Sequence, residues 1–301
     1  IWRFSLGKSL NGSRVVKLKY FSYSGIQTYL KCPAQYKYRY IDRIKKKDES
    51  IEAFMGKLVH QTLEYLHNQR LAGGMVSYDS LITYYSGLWD EHWHGRVAIV
   101  NKRILPIDRE NKNLPRWKKV AGFYFRIGEK CISNYFQMNH PFNQNIYAAE
   151  YELDFVLGDD GNYHIKGVID RLDHDNNGNW KIHDYKTGKR IISQKEAAKN
   201  LQLGIYQVGL LKTEIKVDSV ELIWHFLQQK KNKIIVRSKM NSDSLSLVKK
   251  MFVNVIDKIR NKLKTGSIFQ PKPSLLCNWC YYWEECPSQI GNNPHIGYKN
   301  D

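Results

Sequence analysis

The stretch between residues 146 and 188 alternates apolar and polar residues with the period of β-strands, and this pattern limits the folds open to the chain. Three runs carry it: "IYAAEYELDFVLG", "YHIKGVIDRLDHD" and "NWKIHDYKTG". Gly, Asp and Asn residues typical of turns separate these runs. The pattern predicts three neighbouring strands of one sheet.

Helical patterns lie on both sides of these strands along the chain. The first helical segment is "YSGIQTYLKCPAQYKYRYI", with Ser24 positioned as its N-cap, and "QKEAAKNLQLGIYQVGLLKTE" predicts one continuous helix after the strands. The segment "VDSVELIWHFLQQKKNKIIVRSKM" predicts a β-hairpin. This order of elements predicts an α/β fold in which helices flank a central sheet.

Length and composition are consistent with a single domain over residues 1–301. Apolar residues make up 42% of the chain, enough for a substantial core. We expect four parts, namely a basic lead-in (1–21), a mainly helical portion (22–145), a core that holds the strands (146–265) and a cysteine-rich tail (266–301).

Two acids and a lysine stand at the ends of the second and third strand runs. Asp184 and Lys186 share one face of "NWKIHDYK" because side chains alternate along a strand, and a hairpin would place Asp170 beside Asp184. Two such carboxylates repel unless a cation neutralises them, and hard oxygen ligands suit Mg²⁺ or Mn²⁺. Lys186 could then orient a water or stabilise charge on a phosphate. A surface hairpin with an Asp–Lys ion pair is the alternative.

Polar residues on two predicted helices are further candidates. His60 lies in "GKLVHQTLE" on the second helix, although a lone helical histidine is more often a core or solvent-facing residue than a ligand. Gln202 and Tyr206 in "QLGIYQVGL" lie one turn apart on the helix after the lysine strand. They could contact a substrate or only pack.

The chain carries a large excess of positive charge. Its 47 Lys and Arg residues against 29 Asp and Glu residues give a formal net charge of +18 at pH 7. Such a field favours a polyanionic partner, either nucleic acid or an acidic membrane face, and the basic residues are dispersed along the chain. The 20 Tyr and 8 Trp residues could stack on bases, although most should belong to the core. Solubility alone is the other explanation of the charge.

Four of the five cysteines have a spacing typical of a metal site. Cys277, Cys280 and Cys286 form a C-x2-C-x5-C pattern, and Cys32 lies 245 residues before Cys277. Four thiolates can hold Zn²⁺ or a 4Fe–4S cluster, and the spacing does not decide between them; unlinked buried thiols are the simpler alternative. Cys131 lies in a helical pattern and is expected in the core.

The sequence shows neither a secretion signal nor a membrane span. No apolar run reaches the roughly 18 residues of a spanning helix, and residues 1–20 lack the apolar region and cleavage site of a signal peptide. We therefore expect no disulfides and an intracellular protein of the cytoplasm or nucleoid. The first residue is Ile1 and not Met, and a processed or trimmed product is one expectation that this raises.

Five short motifs, in this order, give the sequence a family resemblance. They are "YSGIQTYLKCPAQYKYRY", "GKLVH", "GVIDRLD", "DYKTGK" and "QLGIY". Together they resemble the RecB-like branch of the PD-(D/E)XK nuclease superfamily, from about residue 22 to residue 287. Ile169 stands where the name of the superfamily has proline, which RecB-like members commonly lack.

The resemblance implies a metal site, a catalytic lysine and a pair of residues near DNA. The implied metal ligands are His60, Asp170, Asp184 and the carbonyl of Tyr185. Lys186 would act in catalysis with the two aspartates, and Gln202 and Tyr206 would lie near DNA. The fold that goes with these residues is a mixed central sheet flanked by helices.

The cysteine spacing resembles one branch of that superfamily. A distant N-terminal cysteine followed by C-x2-C-x5-C is similar to the pattern of the iron–sulfur nucleases, namely the AddB nuclease domain, the four-cysteine CRISPR-associated nucleases and the exonuclease V group. The resemblance implies a 4Fe–4S cluster, with zinc as second choice, that joins the first helix to the tail. Its ligands would be Cys32, Cys277, Cys280 and Cys286.

The resulting hypothesis is a Mg²⁺- or Mn²⁺-dependent deoxyribonuclease. We expect an exonuclease on single-stranded DNA ends in repair, recombination or replication, with a helicase or another repair or CRISPR subunit as the partner to consider and no membrane. A catalytically idle DNA-binding module of a helicase–nuclease or CRISPR adaptation complex gives no reason for Asp170, Asp184 and Lys186 to occur together. A zinc-bound RNA-binding protein leaves the same acids unexplained.

Overall fold

The chain folds as the α/β protein that the sequence predicts. The structure, a computed structural model, describes residues 18–100, 113–158, 162–175, 177–230 and 234–298. Most of the predicted basic lead-in lies outside these described residues.

The described residues contain nine strands and eight α-helices. The strands are β1 (Phe21–Ser22), β2 (Glu49–Ser50), β3 (Val97–Val100), β4 (Ile146–Leu157), β5 (Tyr163–His174), β6 (Asn179–Lys186), β7 (Ser219–Phe226), β8 (Ile235–Ser238) and β9 (Ile296–Gly297). The α-helices are α1 (Tyr23–Lys31), α2 (Pro33–Tyr36), α3 (Ile51–Leu71), α4 (Tyr78–His92), α5 (Arg116–Asn139), α6 (Gln194–Ala197), α7 (Leu201–Leu210) and α8 (Ser242–Thr265). No helix of the described part combines the length and the apolar character that crossing a membrane would need.

Six of the described strands form a mixed central sheet. β5 pairs antiparallel with β4 along one edge, and along its other edge it pairs with β1 in parallel and with β6 in antiparallel orientation. β6 pairs parallel with β7, and β7 pairs antiparallel with β8. Parallel neighbours need a crossover connection, and α6 and α7 supply it between β6 and β7. The hairpin predicted after the crossover is β7–β8.

Two apolar cores lie on opposite faces of the sheet. Trp180 and Ile182 of β6 belong to one core, together with residues of α1, α7 and α8. Tyr185 of the same strand belongs to the other core, together with residues of α3, α4 and α5. Because side chains alternate across a strand, helices enclose the sheet on both sides.

The regular alternation of β5 is interrupted near its end. Ile169 and Leu172 both belong to the core with α7, although a strict two-residue period would turn them to opposite faces. On the partner strand β4, Glu150 has a positive φ of 48°, which is uncommon outside glycine and marks a local bend. The flanking residue pairs place Glu150 opposite Asp170. The bend therefore falls where one of the predicted catalytic acids lies.

The first predicted helix begins earlier than expected and is interrupted. Its N-cap is Ser22 and not Ser24, since the Ser22 hydroxyl accepts from the N–H of Gly25 (3.2 Å). Cys32 separates α1 from α2 with an extended backbone (φ −156°, ψ 107°). Cys32 precedes Pro33, and a residue before proline disfavours the helical conformation.

The helix predicted over residues 194–214 is likewise divided, into α6 and α7. Asn200 begins the second part as its N-cap, with the side-chain oxygen accepting from the N–H of Leu203 (3.0 Å). A side chain that satisfies a backbone donor in this way competes with a continuous helix.

The tail returns to the N-terminal segments. β9 pairs antiparallel with β3, and β3 pairs parallel with β2, in a second sheet of three strands. The hydroxyl of Tyr38 donates to the carbonyl of Glu285 (2.7 Å), and that of Tyr282 donates to the carbonyl of Ile44 (3.2 Å). These contacts place the cysteine-rich segment beside the first helices.

Candidate active site

The ends of β5 and β6 bring the two predicted acids together. The register pairs Arg171 with His183, so Asp170 and Asp184 form the next opposing pair. Asp170 accepts a hydrogen bond from the N–H of Tyr185 (2.6 Å), which joins the two strand ends. The side chains of Asp170 and Asp184 are only 14% and 5% exposed, so both carboxylates are largely withdrawn from water.

Lys186 contacts Asp184 on the same face of β6, as their two-residue spacing predicts. Its Nζ donates to Oδ1 of Asp184 (3.0 Å) and lies 2.7 Å from Oδ2. It also donates to Oε1 of Gln202 (2.9 Å), whose Nε2 donates back to Asp184 (2.8 Å). Lys186, Asp184 and Gln202 therefore each form a hydrogen bond with the other two. The ammonium group of Lys186 has three N–H groups, so one of them remains for another acceptor.

His60 of α3 reaches the same two strand ends. Its Nε2 lies 3.0 Å from the carbonyl oxygen of Tyr185, and its Nδ1 lies 3.5 Å from Oδ1 of Asp170. Gly56 permits this approach, because a Cβ at that position would lie 2.9 Å from Oγ1 of Thr187. The structure therefore brings His60 to two of the other three predicted metal ligands, Asp170 and the Tyr185 carbonyl, and not into direct contact with Asp184.

Glu150 is a site residue that the sequence analysis missed. Ligand atoms of His60, Glu150 and Asp170 all lie within 4.8 Å of one another, in the one group of this kind found among the described residues. Opposite ligands of a small divalent cation lie about 4.2 Å apart when each bond is about 2.1 Å, so this spacing suits such an ion. The pairing of β4 with β5 places Glu150 opposite Asp170, and the sequence offers no local signal for this register.

Residues of α7 and α1 border the site. Tyr206 of α7 packs over Gly167 of β5, where a Cβ would lie 2.6 Å from the tyrosine ring. Burial raises the pKa of Tyr206, and a hydrogen bond with Gln202 opposes the rise. Burial also raises the pKa of Tyr23, which the sequence analysis did not single out, and the nearby charge of Lys186 opposes this.

The electrostatics of the site favour an added cation. Burial raises the pKa of Glu150 to about 7, and the charge of Asp170 adds to the effect. Burial likewise raises the pKa of Asp184 to about 6, against the charge of Lys186. Burial disfavours the charged form of His60, but the negative charge of Asp170 and its neighbours outweighs it and raises the pKa of His60 to about 9. Protons thus neutralise a surplus of negative charge that a divalent cation would also neutralise.

The four cysteines of the predicted cluster line a single cavity of about 200 Å³. The backbone N–H of Lys272 donates toward Sγ of Cys32 (3.5 Å), and that of Ser274 donates toward Sγ of Cys277 (3.4 Å). Burial raises the pKa of Cys280 to about 11, and the charges of the other three cysteines contribute. All four cysteines therefore border the same cavity, although they come from opposite ends of the chain.

The sulfur atoms of the described cysteines form no compact group of three. Among the described residues, no three cysteines bring their sulfur atoms within 4.8 Å of one another. Cys131 takes no part, because it is fully buried in α5 as the sequence predicts.

The chemistry open to this site follows from its donors. Carboxylate oxygens, a carbonyl and an imidazole can bind a hard divalent cation, and Lys186 places an ammonium group beside it. A cation and an ammonium group together can stabilise negative charge that develops on a phosphate.

One family model and two solved structures are similar to the chain. A family model described as the PD-(D/E)XK nuclease superfamily matches residues 20–287. Among solved structures, a candidate exonuclease from Eubacterium rectale is similar at 13% identity, with a TM-score of 0.49 over 92% of this chain and 90% of that one. The protein SSO0001 is similar at 14% identity, with a TM-score of 0.32 over 61% of this chain and 79% of that one. The range matched by the family model contains every residue of the candidate site and the four cysteines of the cavity.

Proposed function

Because the chain belongs to the PD-(D/E)XK nuclease superfamily, we propose that it is a Mg²⁺- or Mn²⁺-dependent deoxyribonuclease that degrades single-stranded DNA from its ends. The observation that carries this proposal is the meeting of Asp170, Asp184 and Lys186 at the ends of β5 and β6. His60 and Glu150 add further ligands at the same point.

The donor set supports a hard divalent cation. Asp170, Glu150 and the Tyr185 carbonyl offer oxygen atoms, and His60 offers the single nitrogen. Asp184, opposite Asp170 at the end of β6, would be the further oxygen ligand. Mg²⁺ and Mn²⁺ prefer such ligands. Bound there, the cation would supply Lewis-acid stabilisation of the attacked phosphate and a more acidic water.

The residues of the chain itself would hold and orient the substrate. Lys186, fixed by Asp184 and Gln202, can donate its remaining N–H to a phosphate oxygen as negative charge develops. Tyr206 and Tyr23 border the same space, where they would contact the DNA strand.

The charge of the chain supports a nucleic-acid substrate. A net charge of +18 attracts the phosphate backbone whatever the nucleotide sequence. An enzyme that degrades a strand from its ends needs such sequence-independent binding. We propose that the chain acts inside the cell in DNA repair, recombination or replication, beside a helicase or another repair or CRISPR subunit.

We further propose that the cysteine cavity holds a 4Fe–4S cluster. Four cysteines line it, and two backbone N–H groups donate toward their sulfur atoms, as hydrogen bonds do in iron–sulfur sites. In a tetrahedral zinc site with Zn–S bonds of about 2.3 Å, the sulfur atoms lie about 3.8 Å apart. No three of the cysteine sulfur atoms of the described residues lie within 4.8 Å of one another, and zinc is the second candidate for the same four thiolates. The role of the cluster would be structural, since it would join Cys32 to the tail.

The activity can be tested with labelled nucleic acids. Single- and double-stranded DNA and RNA, labelled at the 5′ or the 3′ end, are incubated with the protein in Mg²⁺, Mn²⁺ or EDTA. We expect cation-dependent shortening of single-stranded DNA from one labelled end. Binding without cleavage in either metal would support the idle DNA-binding module, and internal cuts or RNA cleavage would correct the substrate class.

The cluster can be tested separately. Anaerobically purified protein should be brown, with iron and acid-labile sulfide in equal amounts and about four of each per chain. Stoichiometric zinc without iron would replace the cluster by a zinc site and leave the proposed nuclease activity unaffected.

A further inference from the structure

Seven polar side chains form a buried network behind the candidate active site, on the sheet face that α3 and α5 cover. Each of these side chains belongs to a residue that is at most 6% exposed. The network, called the Tyr185 network below, consists of His67, Tyr135, Arg171, Asp173, His183, Tyr185 and His225. Burying polar groups costs free energy unless each finds a partner, so this arrangement requires an explanation.

Tyr185 contacts the active site through its backbone and the network through its side chain. Its N–H donates to Asp170 (2.6 Å), and its carbonyl oxygen lies 3.0 Å from Nε2 of His60. Its hydroxyl lies 3.0 Å from the hydroxyl of Tyr135 and 3.1 Å from Nε2 of His67. One residue thus connects the proposed metal ligands with the buried network.

Helix α3 holds Tyr185 at both ends. His60 and His67 are seven residues apart, which is about two turns and about 10.5 Å along the helix axis, so both lie on the same side. His60 contacts the carbonyl oxygen of Tyr185, and His67 contacts its hydroxyl. A rotation or shift of Tyr185 relative to α3 would therefore break a contact at one end or the other.

Tyr135 connects this contact to the interior of the sheet. Its hydroxyl lies 2.7 Å from Nε2 of His67 and accepts from Nη1 of Arg171 (2.7 Å). Nε of Arg171 donates to Asp173 (2.7 Å), and Asp173 also lies 3.2 Å from Nε2 of His183. Asp173 neutralises the charge of Arg171, because the two side chains are joined by this hydrogen bond. The pair therefore adds no net charge behind the proposed cation site.

We propose that His67, Tyr135 and Arg171 are positioning residues that fix Tyr185, so that its carbonyl oxygen stays where a divalent cation takes it as a ligand. This inference deepens the proposed function and depends on it. Stability alone does not require the network, since apolar replacements of buried ion pairs are often neutral or stabilising. Groups that hold a metal ligand in place through hydrogen bonds, by contrast, raise the affinity for the metal.

Two substitutions remove one hydroxyl each from the network. Tyr185→Phe keeps the backbone ligand but deletes the group that His67 and Tyr135 hold, and Tyr135→Phe deletes the branch point. Tyr124→Phe is the matched control: Tyr124 lies on the same helix, α5, and its hydroxyl donates outside the network, to Glu52 (2.7 Å).

The primary measurement is the affinity for Mn²⁺ itself, from the electron paramagnetic resonance signal of the free ion. We expect both network variants to bind Mn²⁺ about tenfold more weakly than the wild type, as is typical for the loss of a group that orients a ligand. The Mn²⁺ concentration for half-maximal cleavage should rise in parallel, while cleavage at saturating Mn²⁺ should recover. The control should keep the wild-type affinity.

A purely structural role would lower the melting temperature without moving the Mn²⁺ titration, and that result would overturn the inference. An equal shift in Tyr124→Phe would also overturn it. If Tyr135→Phe does not fold, Tyr185→Phe decides, because Tyr135 then retains both His67 and Arg171 as partners. A wild-type chain that binds no Mn²⁺ refutes the proposed function and this inference together, whereas wild-type binding with unshifted variants refutes the inference alone.

Discussion

Replacing Asp173 with Asn should strongly destabilise the fold. The substitution removes the charge that balances Arg171, whose side chain is 1% exposed and donates from Nε to Asp173 at 2.7 Å. Breaking a buried ion pair by removing one partner typically costs about 3–5 kcal/mol, because the other charge stays buried and uncompensated. At about 2–4 °C per kcal/mol for a chain of this size class, the melting temperature should fall by about 6–20 °C.

An exposed aspartate on the neighbouring strand provides the matched control. Asp154 is 51% exposed and pairs with Lys166 (2.8 Å), so Asp154→Asn should cost at most about 1 kcal/mol. Urea denaturation and calorimetry of both variants at pH 7 supply the comparison. The reasoning about the buried pair would be refuted if Asp173→Asn lowered the free energy of unfolding by less than about 1 kcal/mol. It would also be refuted if Asp173→Asn were no more destabilising than Asp154→Asn.

Acid should reduce the difference in the free energy of unfolding between the wild type and Asp173→Asn. Burial favours a higher pKa for Asp173, but hydrogen bonds from His183 and Arg171 outweigh it and hold the pKa below its usual range. A carboxyl group with a lowered pKa contributes stability above its unfolded pKa of about 3.9, and this contribution is lost as the pH falls through the folded value. The free-energy difference between the two proteins should therefore be constant near neutral pH and shrink below about pH 4.

Three further outcomes follow from the site and the cysteine cavity. Without divalent cations, calorimetry should show a melting temperature that falls as the pH rises from about 7 to about 9, because the raised pKa of His60 (about 9) gives stability that deprotonation removes. The buried histidines His67, His183 and His225 have lowered pKa values and oppose this trend only below that range. Mg²⁺ should flatten the slope, and a rising slope without metal would contradict the assignment. Gly167→Ala places a Cβ 2.6 Å from the Tyr206 ring and should raise the KM for single-stranded DNA several-fold with kcat retained, whereas an unchanged KM would remove Tyr206 from the DNA contacts. Cys286→Ala should lose iron and expose the tail to limited proteolysis. A cluster that joins Cys32 to the tail closes a loop of most of the chain, which should stabilise the fold by about 5 kcal/mol. Wild-type stability together with lost cleavage would instead give the cluster a part in the chemistry.

The strands and the shared face of Asp184 and Lys186 could be predicted from the sequence, because both depend only on residues close together in the chain. A two-residue period specifies β4 to β6, and it also places Asp184 and Lys186 on one face. The interruption at Cys32 was visible as well, in the proline that follows it, but the helical period of the surrounding residues outweighed this signal.

Neither the position of Glu150 beside Asp170 nor the burial of the Tyr185 network could be predicted from such a local pattern. Glu150 approaches Asp170 only through the register of β4 against β5, and no local pattern specifies that register. Arg171, Asp173 and His183 alternate with apolar residues, which is the pattern of a strand face exposed to water. In the structure α3 and α5 cover that face, and a period of two cannot distinguish a covered polar face from a solvated one.

The central claim is that Asp184 and Lys186 perform chemistry, whereas affinity for DNA comes from charge spread over the surface. Single-turnover cleavage of a labelled single-stranded oligonucleotide and equilibrium binding of the same oligonucleotide, measured for Asp184→Ala and Lys186→Ala, separate the two. Lys189→Ala is the control, because it removes the same charge from an exposed lysine only three residues away. Cleavage should fall at least about a hundredfold in both site variants while binding stays within a few-fold of the wild type, and Lys189→Ala should cleave normally. Wild-type cleavage by either site variant, or an equal loss in Lys189→Ala, would contradict the account.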